Sequence, residues 1–547
     1  MPVPPMLRYL QPGDALQPLY SVAQLRAVEA AAQAGLPSHC LMQRAGEAAA
    51  ALALQLIAPV AAAAGPPRVL VAAGSGNNGG DALECAALLA EHGCAVTVLM
   101  PALPAAPVVP MNGQAALPSD HAQALARLLR VRNGVQCISG ATQYDHLADM
   151  TWDLVIDGLF GIGLSRGLRT PWCAVITMMN AIAAPLLALD VPSGMDADTG
   201  AVHDDPDQAG QPGACIRASH TLTFIGDKPG LHTGSGREFA GEIHVAGLGI
   251  AAGDFPAPVA WRSGPAAFPE IFMPRRQDTH KGSHGDVVII GGAHGMAGAA
   301  VLAAQAALKS GCGRVTIGFA QAHAALAFIP GQPELMCRLA HDARITGAVI
   351  VIGPGLGRDA AALSLVEHAC DIDGPLVLDA DALNLAAGTP ELALRIARRT
   401  SPTLMTPHPL EAARLLGLSA AEVQADRLKA AAALAARFHA IVILKGSGTV
   451  IADGIRLLIN PTGNAALATG GTGDVLAGMC GALLAQSWTP LAAAAGAVWL
   501  HGAAADLLIA QGTGPVGVTA GEIIEAARTV RNRLGARFKQ PAPVGQR

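Results

Sequence analysis

Short apolar segments that alternate with helical patterns constrain the fold of this chain more than any other feature of its sequence. In the first half, residues 68–73, 95–100, 154–157 and 186–190 are predicted strands, and residues 82–91 are a predicted helix. Because these strands are apolar along their whole length, they are expected in a parallel sheet covered by helices on both faces. Ligands of such sheets bind beyond the carboxyl ends of the strands.

The second half repeats this alternation. Its predicted strands are 287–290, 315–319, 348–352, 375–378 and 441–444, followed by a hairpin at 450–460 and a core helix after Asp474. Between the halves, residues 251–274 contain five prolines and no sustained periodicity, which predicts a linker. The fold class is therefore α/β, with two three-layer αβα domains at residues 1–250 and 275–547.

Composition narrows the class of protein and its partners. The chain has a net charge of −5 and no basic run, which argues against nucleic acid and against an anionic membrane surface. Ten cysteines without a Cys-x-x-Cys pair predict reduced thiols. The apolar stretch 48–65 is interrupted by Gln55 and Pro59, and residues 1–16 lack the layout of a signal peptide. We expect a soluble, cytoplasmic protein that acts on small molecules; the sequence leaves open whether it forms a homo-oligomer.

The first glycine loop, GSGNNG at residues 74–79, matches a dinucleotide fingerprint, but the expected acid after the next strand is absent. The loop offers oxygen ligands instead, from Asn77, Asn78 and Asp81, while Asp157 and Ser193 follow two neighbouring strands. Oxygen ligands without His or Cys suit a hard cation. Each residue alone is as well explained as a turn or helix-cap residue; the three loops together favour a site.

The second glycine loop, GGTGD at residues 470–474, carries a carboxylate where a helix start normally holds an anion. No Gly-Lys pair occurs, so there is no P-loop, and the protein-kinase motifs are absent. If the loop holds a transferring phosphoryl group, Asp474 can act as the general base. The alternative is a helix cap worth about 1 kcal/mol.

Two further residues near the second loop have chemistry of their own. His408 stands between two prolines, in a segment predicted to be extended and stiff. Lys445 ends a predicted strand, where a point charge fits a phosphate. Each also has a structural explanation, as an ordinary histidine and as a strand-terminal lysine.

Three ordered segments of the first half, "GSGNNGGDAL", "IDGLFGIGLSRGL" and "ALDVPSGMDADTG", resemble the NAD(P)H-hydrate epimerases over residues 20–249. The resemblance implies a Rossmann-like sheet and a potassium ion held by Asn78, Asp157 and Ser193. The implied substrate-binding residues are Asn77, Asn78, Gly79, Gly80, Asp81, Gly161, Ile162, Gly163, Leu164, Ser165, Arg166, Gly167 and Asp190. Three positions depart from the family: Ser75, Ala82 and Gln43.

Epimerisation inverts a hydroxylated carbon of the hydrated nicotinamide ring, which requires a proton donor that becomes an acceptor. Asp81 and Asp190 are the candidate catalytic carboxylates. Lys228, in "TFIGDKPG", is a weaker candidate that is explained equally well as a surface lysine.

Six ordered motifs of the second half resemble the ADP-dependent NAD(P)H-hydrate dehydratases, which are ribokinase-like, over residues 275–501. They begin with "HKGSHGDVVIIGGAHGMAGAA" and include "GPGLG", "LDADALN", "TPHPLEAARLLG", "LKGSGTVIA" and "NPTGNAALATGGTGD". The resemblance implies ADP as co-substrate and Mg²⁺ in the site. The implied nucleotide-binding residues are Lys445, Gly446, Ser447, Gly448, Thr449 and Gly473, and the implied substrate-binding residues are Gly355, His408 and Asp474.

Together, the two resemblances imply repair of hydrated NADH and NADPH. The first domain would interconvert the R and S hydrates, and the second would dehydrate the S hydrate with ADP, giving NAD(P)H, AMP and phosphate. The alternative is a ribokinase-like vitamin or sugar kinase with a non-catalytic N-terminal binding module.

Overall fold

The computed structural model describes residues 16–58, 65–100, 119–131, 134–139, 144–208, 211–321 and 327–537. Two compact units divide these residues: an N-terminal unit, Leu19–Val259, and a C-terminal unit that begins at Ala260 and includes the described residues up to Pro18. Each unit contains one sheet, and both sheets are mostly parallel with helices packed on them, which confirms the predicted α/β class.

A seven-stranded parallel sheet forms the centre of the N-terminal unit, in the order β4-β3-β2-β5-β6-β7-β8. Its strands are β2 (Arg68–Ala73), β3 (Ala95–Met100), β4 (Val135–Ser139), β5 (Leu154–Gly158), β6 (Leu186–Leu189), β7 (His220–Phe224) and β8 (Glu242–Ala246). Its helices are α1 (Val22–Gln33), α2 (Cys40–Ile57), α3 (Asn77–Glu91), α4 (Asp120–Leu128), α5 (Trp172–Ala181) and α6 (Gly236–Phe239). Separate buried clusters cover the two faces of the sheet, as the three-layer prediction requires.

An eleven-stranded sheet forms the centre of the C-terminal unit, in the order β1-β9-β18-β17-β16-β15-β14-β13-β10-β11-β12. Its strands are β1 (Gln17–Leu19), β9 (Ala260–Arg262), β10 (Asp286–Gly291), β11 (Arg314–Phe319), β12 (Met336–Leu339), β13 (Val349–Ile352), β14 (Leu376–Leu378), β15 (Thr403–Met405), β16 (Ile441–Leu444), β17 (Val450–Ala452) and β18 (Leu457–Ile459). The predicted hairpin is confirmed, because β17 pairs antiparallel with both β16 and β18.

Ten helices are described around this second sheet: α7 (Ala297–Lys309), α8 (Ala360–Asp371), α9 (Asp381–Gly388), α10 (Pro390–Ala397), α11 (Pro409–Leu416), α12 (Ala420–Ala425), α13 (Arg427–Phe438), α14 (Thr472–Ala485), α15 (Pro490–Ala510) and α16 (Ala520–Arg537). Among the described residues, α15 alone is long and apolar enough to cross a membrane, and 83% of its apolar stretch is buried inside the protein. Such burial is typical of a core helix.

Only part of the segment predicted as a linker, residues 251–274, lies between the two units, because the boundary of the units falls inside it. The units separate at Val259, and the residues that follow belong to the C-terminal unit. Trp261 and Arg262 pair with β18, while Phe268 is fully buried and stacks on Trp488 with ring centroids 6.4 Å apart. Prolines set the local turns, but the apolar side chains between them pack on the core, so only the first part of the segment connects the units.

Candidate active sites

Close backbone approaches fix the first glycine loop of the N-terminal unit. A Cβ on Gly74 would lie 2.0 Å from the carbonyl oxygen of Leu159, and a Cβ on Gly79 would lie 1.8 Å from that of Gly74. Glycine at these positions lets the start of α3 press against the loop after β5. The helix begins at Asn77, earlier than predicted, so Asp81 lies one turn inside α3 and not at its entrance.

Three predicted cation ligands meet at this point. Ser193 donates from its hydroxyl to Asp157 Oδ1 (2.8 Å) and from its backbone N–H to Asp157 Oδ2 (2.9 Å). Asn78 donates through Nδ2 to the carbonyl oxygen of Leu189 (3.2 Å), while its Oδ1 is buried without a hydrogen-bond partner. The backbone carbonyl oxygen of Asn78 would lie 3.1 Å from a Cβ on Gly158, which places this residue beside Asp157.

The donor set of this cluster suits a hard cation. Burial raises the pKa of Asp157 to about 6, even though the hydrogen bonds from Ser193 and Leu159 favour its ionised form. A positive ion beside this carboxylate would offset the cost of burying its charge. Asn78 Oδ1, buried without a hydrogen-bond partner, is an oxygen that can act as a ligand of such an ion.

Asp190 lies at the centre of the second cluster and is held in a left-handed conformation with φ of 65°. Its Oδ2 accepts the backbone N–H of Ile162 (2.9 Å), and its Oδ1 lies 2.9 Å from Lys228 Nζ. The prediction that Lys228 could equally be a surface residue is wrong. The side chain is fully buried and also donates to Thr223 Oγ1 (2.5 Å) and to the carbonyl oxygen of Gly226 (3.1 Å).

Asp81 and Asp190 both line one cavity of about 400 Å³. Burial raises the pKa of Asp81 well above its usual value, and the neighbouring Asp190 and Glu29 raise it further. Burial and Asp190 also raise the pKa of Glu29, which belongs to α1 and was not predicted as a site residue. The cavity therefore combines a carboxyl group whose pKa is raised well above its usual value with a second carboxyl group that is paired with a lysine.

The predicted substrate-binding segments reach two cavities. Asn77, Asn78, Gly161, Ile162, Gly163 and Leu164 line the cavity of Asp81, whereas Ser165, Arg166 and Gly167 line an adjacent one of about 640 Å³. Gly79 and Gly80 are buried, and a Cβ on Gly80 would lie 2.5 Å from the Met42 side chain. The two glycines thus allow close packing and offer no side chain to a ligand.

The second glycine loop of the sequence opens α14 in the C-terminal unit. Gly471 is the N-cap, with φ of 92°, and Asp474 is the third residue of the helix. Asp474 is therefore not the N-cap of α14, so the alternative explanation of this residue as a helix cap is wrong. A Cβ on Gly473 would lie 3.4 Å from Lys445 Nζ, so the lysine ammonium group faces the loop directly.

Lys445 connects the glycine loop to a buried carboxylate. Its Nζ lies 2.8 Å from Asp379 Oδ1, which also accepts the hydroxyl of Thr406 (2.6 Å). Burial alone would lower the pKa of Lys445, but Asp379, Glu411 and Asp474 outweigh it and raise that pKa. Burial and Asp379 raise the pKa of Asp474 to about 7, partly offset by Lys445. A carboxyl group with this pKa can exchange a proton near neutral pH.

His408 is the N-cap of α11, in an extended conformation as predicted. Its Nδ1 accepts the backbone N–H groups of Leu410 (3.1 Å) and Glu411 (3.3 Å), so Nδ1 is unprotonated and Nε2 carries the hydrogen. Glu411 Oε2 accepts the backbone N–H of His408 (2.8 Å), which completes a capping box. Burial raises the pKa of Glu411 to about 7, and burial followed by the charge of Lys445 lowers the pKa of His408.

Arg427 holds the backbone of the predicted nucleotide-binding segment through hydrogen bonds. The guanidinium is fully buried and donates to the carbonyl oxygens of Leu444 (3.1 Å) and Lys445 (3.2 Å). A Cβ on Gly446 would lie 2.8 Å from it, and Thr449 Oγ1 donates to the carbonyl oxygen of Gly446 (3.0 Å). The structure therefore places Lys445, Gly446 and Thr449 together on one supported turn; Ser447 and Gly448 lie within it.

Gly355 follows β13 at the carboxyl edge of the sheet, with φ of 57°. Its carbonyl oxygen accepts the N–H of Ala293 (2.7 Å), which ties together the loops that follow β13 and β10. At the same edge, a glycine loop opens a helix, a lysine faces that loop, and a carboxyl group with a pKa near 7 lies in the first helical turn. This arrangement is that of an α/β enzyme site which can hold an anionic group beside a carboxyl group able to exchange a proton.

Comparison with known proteins identifies the family. A family model described as "NAD(P)H-hydrate dehydratase" matches residues 287–528, and one described as "YjeF-related protein N-terminus" matches residues 38–230. The chain is 36% identical to the "Bifunctional NAD(P)H-hydrate repair enzyme Nnr" of Escherichia coli, over 92% of each chain. It is 46% identical to an "ADP-dependent (S)-NAD(P)H-hydrate dehydratase" of Neisseria meningitidis, over 49% of this chain and 92% of the relative.

Among solved structures, the chain is similar to the ADP/ATP-dependent NAD(P)H-hydrate dehydratase of Bacillus subtilis crystallised with ATP/Mg²⁺. The two are 33% identical, with a TM-score of 0.41, over 49% of this chain and 94% of that one. The similarity to full-length relatives is decisive: this chain belongs to the family of bifunctional NAD(P)H-hydrate repair enzymes.

Proposed function

We propose that the N-terminal unit interconverts the R and S hydrates of NADH and NADPH. The C-terminal unit then dehydrates the S hydrate with ADP, giving NAD(P)H, AMP and phosphate. One observation carries this proposal: both units contain carboxyl groups with raised pKa values that can act as acids or bases. The chain that contains them is similar over 92% of its length to a bifunctional relative. The free, mostly buried cysteines support a cytoplasmic location.

In the epimerase cavity, two carboxyl groups have opposite roles. Burial and nearby carboxylates raise the pKa of Asp81, which favours its protonated form, so we assign it as the donor to the departing hydroxyl or to the opening ring. Asp190 is held by Lys228 and the N–H of Ile162, so it is the acceptor when the ring hydroxyl forms again on the other face. Lys228 positions Asp190 through the contact between its Nζ and Asp190 Oδ1.

A potassium ion is proposed at Asn78, Asp157 and Ser193, where the unpartnered Oδ1 of Asn78 and the buried carboxylate of Asp157 fit it. When bound, the ion supplies a positive charge that stabilises Asp157 and attracts the phosphates of the nucleotide substrate. The residues themselves fix the loops after β5 and β6, because Ser193 also accepts the N–H of Phe160 (2.9 Å).

In the dehydratase site, Asp474 takes the proton of the ring hydroxyl as that oxygen attacks the terminal phosphorus of ADP. AMP is the leaving group of this step. The ring C–O bond of the phosphate ester then breaks, and inorganic phosphate departs. The ring double bond returns as the neighbouring ring carbon loses a proton to the departing phosphate. The N–H groups of the glycine loop and the ammonium group of Lys445 stabilise the phosphoryl charge. Mg²⁺ is proposed with Asp379 and Asp474 nearby, where it would neutralise phosphate oxygens.

Product analysis separates this function from the alternative kinase. With the S hydrate and ADP, the proposal predicts one AMP, one phosphate and one reduced nicotinamide for each hydrate consumed. A vitamin or sugar kinase would leave a stable phosphorylated product and restore no nicotinamide absorbance. Accumulation of a phosphorylated hydrate without recovery of NADH would contradict the dehydratase assignment.

A further inference from the structure

Three potential metal ligands meet at the start of the two last strands of the N-terminal sheet. His220 Nδ1 lies 3.4 Å from His244 Nε2, and each of these nitrogens lies 3.9 Å from an oxygen of Glu242. We propose that His220, Glu242 and His244 bind a divalent transition metal ion of the Zn²⁺ class. The ion would link the edge strand β8 to its neighbour β7.

Strand register puts the three side chains on one face. His220 is directly opposite Glu242 in the parallel ladder, and His244 is opposite Leu222. Since side chains two residues apart share a face of a strand, Glu242 and His244 both lie on the face that carries His220. The arrangement is therefore set by backbone pairing, not by the chance meeting of long side chains.

The backbone holds this end of the two strands firmly. Thr221 Oγ1 donates to the carbonyl oxygen of Ala240 (2.6 Å), and the N–H of Glu242 donates to that of Ser219 (2.9 Å). Gly241 has φ of 60°, and a Cβ there would lie 2.2 Å from the carbonyl oxygen of Ser219. A prearranged turn of this kind lowers the ordering cost of bringing the ligands together.

The ligand distances fit a tetrahedral ion. Metal–ligand bonds of about 2.0–2.1 Å in tetrahedral geometry separate neighbouring ligand atoms by about 3.3 Å. The two imidazole nitrogens already have nearly this spacing. Glu242 faces them with different oxygens, Oε2 towards His220 and Oε1 towards His244, each at 3.9 Å, and its side chain is 67% exposed, so the carboxylate has room to turn and offer one oxygen to the ion. Two imidazoles and one carboxylate are a zinc donor set that leaves a fourth position for water.

The site is separate from the epimerase cavity within the same unit. His220 begins β7, whereas Phe224 and Ile225, at the carboxyl end of that strand, line the cavity. Four residues of strand separate the two by about 13 Å. We therefore expect the ion to stabilise the edge strand and to leave epimerisation unchanged when it is removed.

Calorimetric titration of the metal-free full chain with ZnCl₂ tests the proposal. We expect one site per chain, a rise in the melting temperature on binding, and at least a tenfold loss of affinity in His220→Gln and in His244→Gln. The matched control is His341→Gln, an exposed histidine in contact with Asp342, which should bind like the unmodified chain. Unchanged affinity in His244→Gln would overturn the proposal.

Cobalt spectroscopy of the unmodified chain keeps the test independent of how the variants fold. Co²⁺ bound to two nitrogens and one oxygen in tetrahedral geometry should give visible ligand-field bands that vanish on adding Zn²⁺. An intense near-ultraviolet thiolate band would assign the ion to cysteines and contradict the site. Absence of any stoichiometric binding would contradict it as well.

Discussion

Replacing Asp474 with Asn separates the chemistry of the dehydratase loop from its stability. The change keeps the size of the side chain and the capping by Gly471, but removes the group that accepts the proton. A positioned general base contributes about 10²–10⁴-fold. We therefore predict a loss of at least a hundredfold in turnover of the S hydrate with ADP, measured by the absorbance of the reduced nicotinamide.

The same substitution should make the folded chain more stable. The pKa of Asp474 rises from 3.8 to about 7 on folding, so the folded state disfavours the ionised carboxyl. A group with a raised pKa costs stability above its unfolded pKa, and the cost is complete above its folded pKa. Three pKa units correspond to about 4 kcal/mol, which is the largest gain in the free energy of unfolding that Asp474→Asn should show at pH 8. This gain should fall towards zero near pH 4, where the carboxyl group is protonated in both states.

Chemical denaturation at pH 8 and pH 5 and steady-state kinetics together test this reasoning. The matched control is Asp359→Asn, where the carboxylate caps α8 by accepting the N–H of Ala362 (2.8 Å) and Asn can do the same. It should change neither turnover nor stability appreciably. Dehydration within tenfold of normal by Asp474→Asn would refute the role of general base, and reduced stability at pH 8 would refute the electrostatic account.

Three further predictions concern the other site and the division of the chain. Asp157→Ala should weaken epimerisation and its potassium dependence while ADP-dependent dehydration of the S hydrate stays normal; equal loss of both activities would mean that Asp157 serves the fold. Lys228→Met should cost about 3 kcal/mol or more because it leaves Asp190 buried without its partner, and adding Asp190→Asn should restore stability in denaturant titrations but not epimerisation; full activity of the double variant would exclude both residues from the reaction. Finally, a fragment of residues 260–547 should dehydrate the S hydrate alone and melt higher than a fragment of residues 265–547, which lacks β9; equal melting temperatures would contradict the boundary at Val259.

The sequence allowed prediction of the strands that are apolar throughout, and failed on the mixed ones. Residues 287–290 and 315–319 were predicted within one residue of β10 and β11. In contrast, β7 and β8 read HTLTF and EIHVA, where polar side chains alternate with apolar ones near a sheet edge. Such strands are defined by pairing with distant neighbours, which local periodicity does not reveal.

Site prediction followed the same division. Asp474, Lys445 and Asp157 lie next to glycine loops or at strand ends, so the predicted topology already placed them at the carboxyl edges of the sheets. Lys228 and Glu411 needed the structure, because a buried lysine and a buried glutamate look like surface residues in sequence. Lys228 takes its role from a tertiary partner, Asp190, whereas Glu411 is held by the local helix cap that it forms with His408.

The central claim is that one chain epimerises and dehydrates, and an equal mixture of R and S hydrates tests it most directly. The full chain should restore no reduced nicotinamide absorbance without ADP, and with ADP it should restore the amount that corresponds to both epimers. Asp157→Ala should restore half of this amount rapidly and the remainder slowly, because the S hydrate alone is a substrate of the C-terminal unit. Recovery by the full chain that stops at half, or recovery of both epimers by Asp157→Ala at the normal rate, would contradict the account.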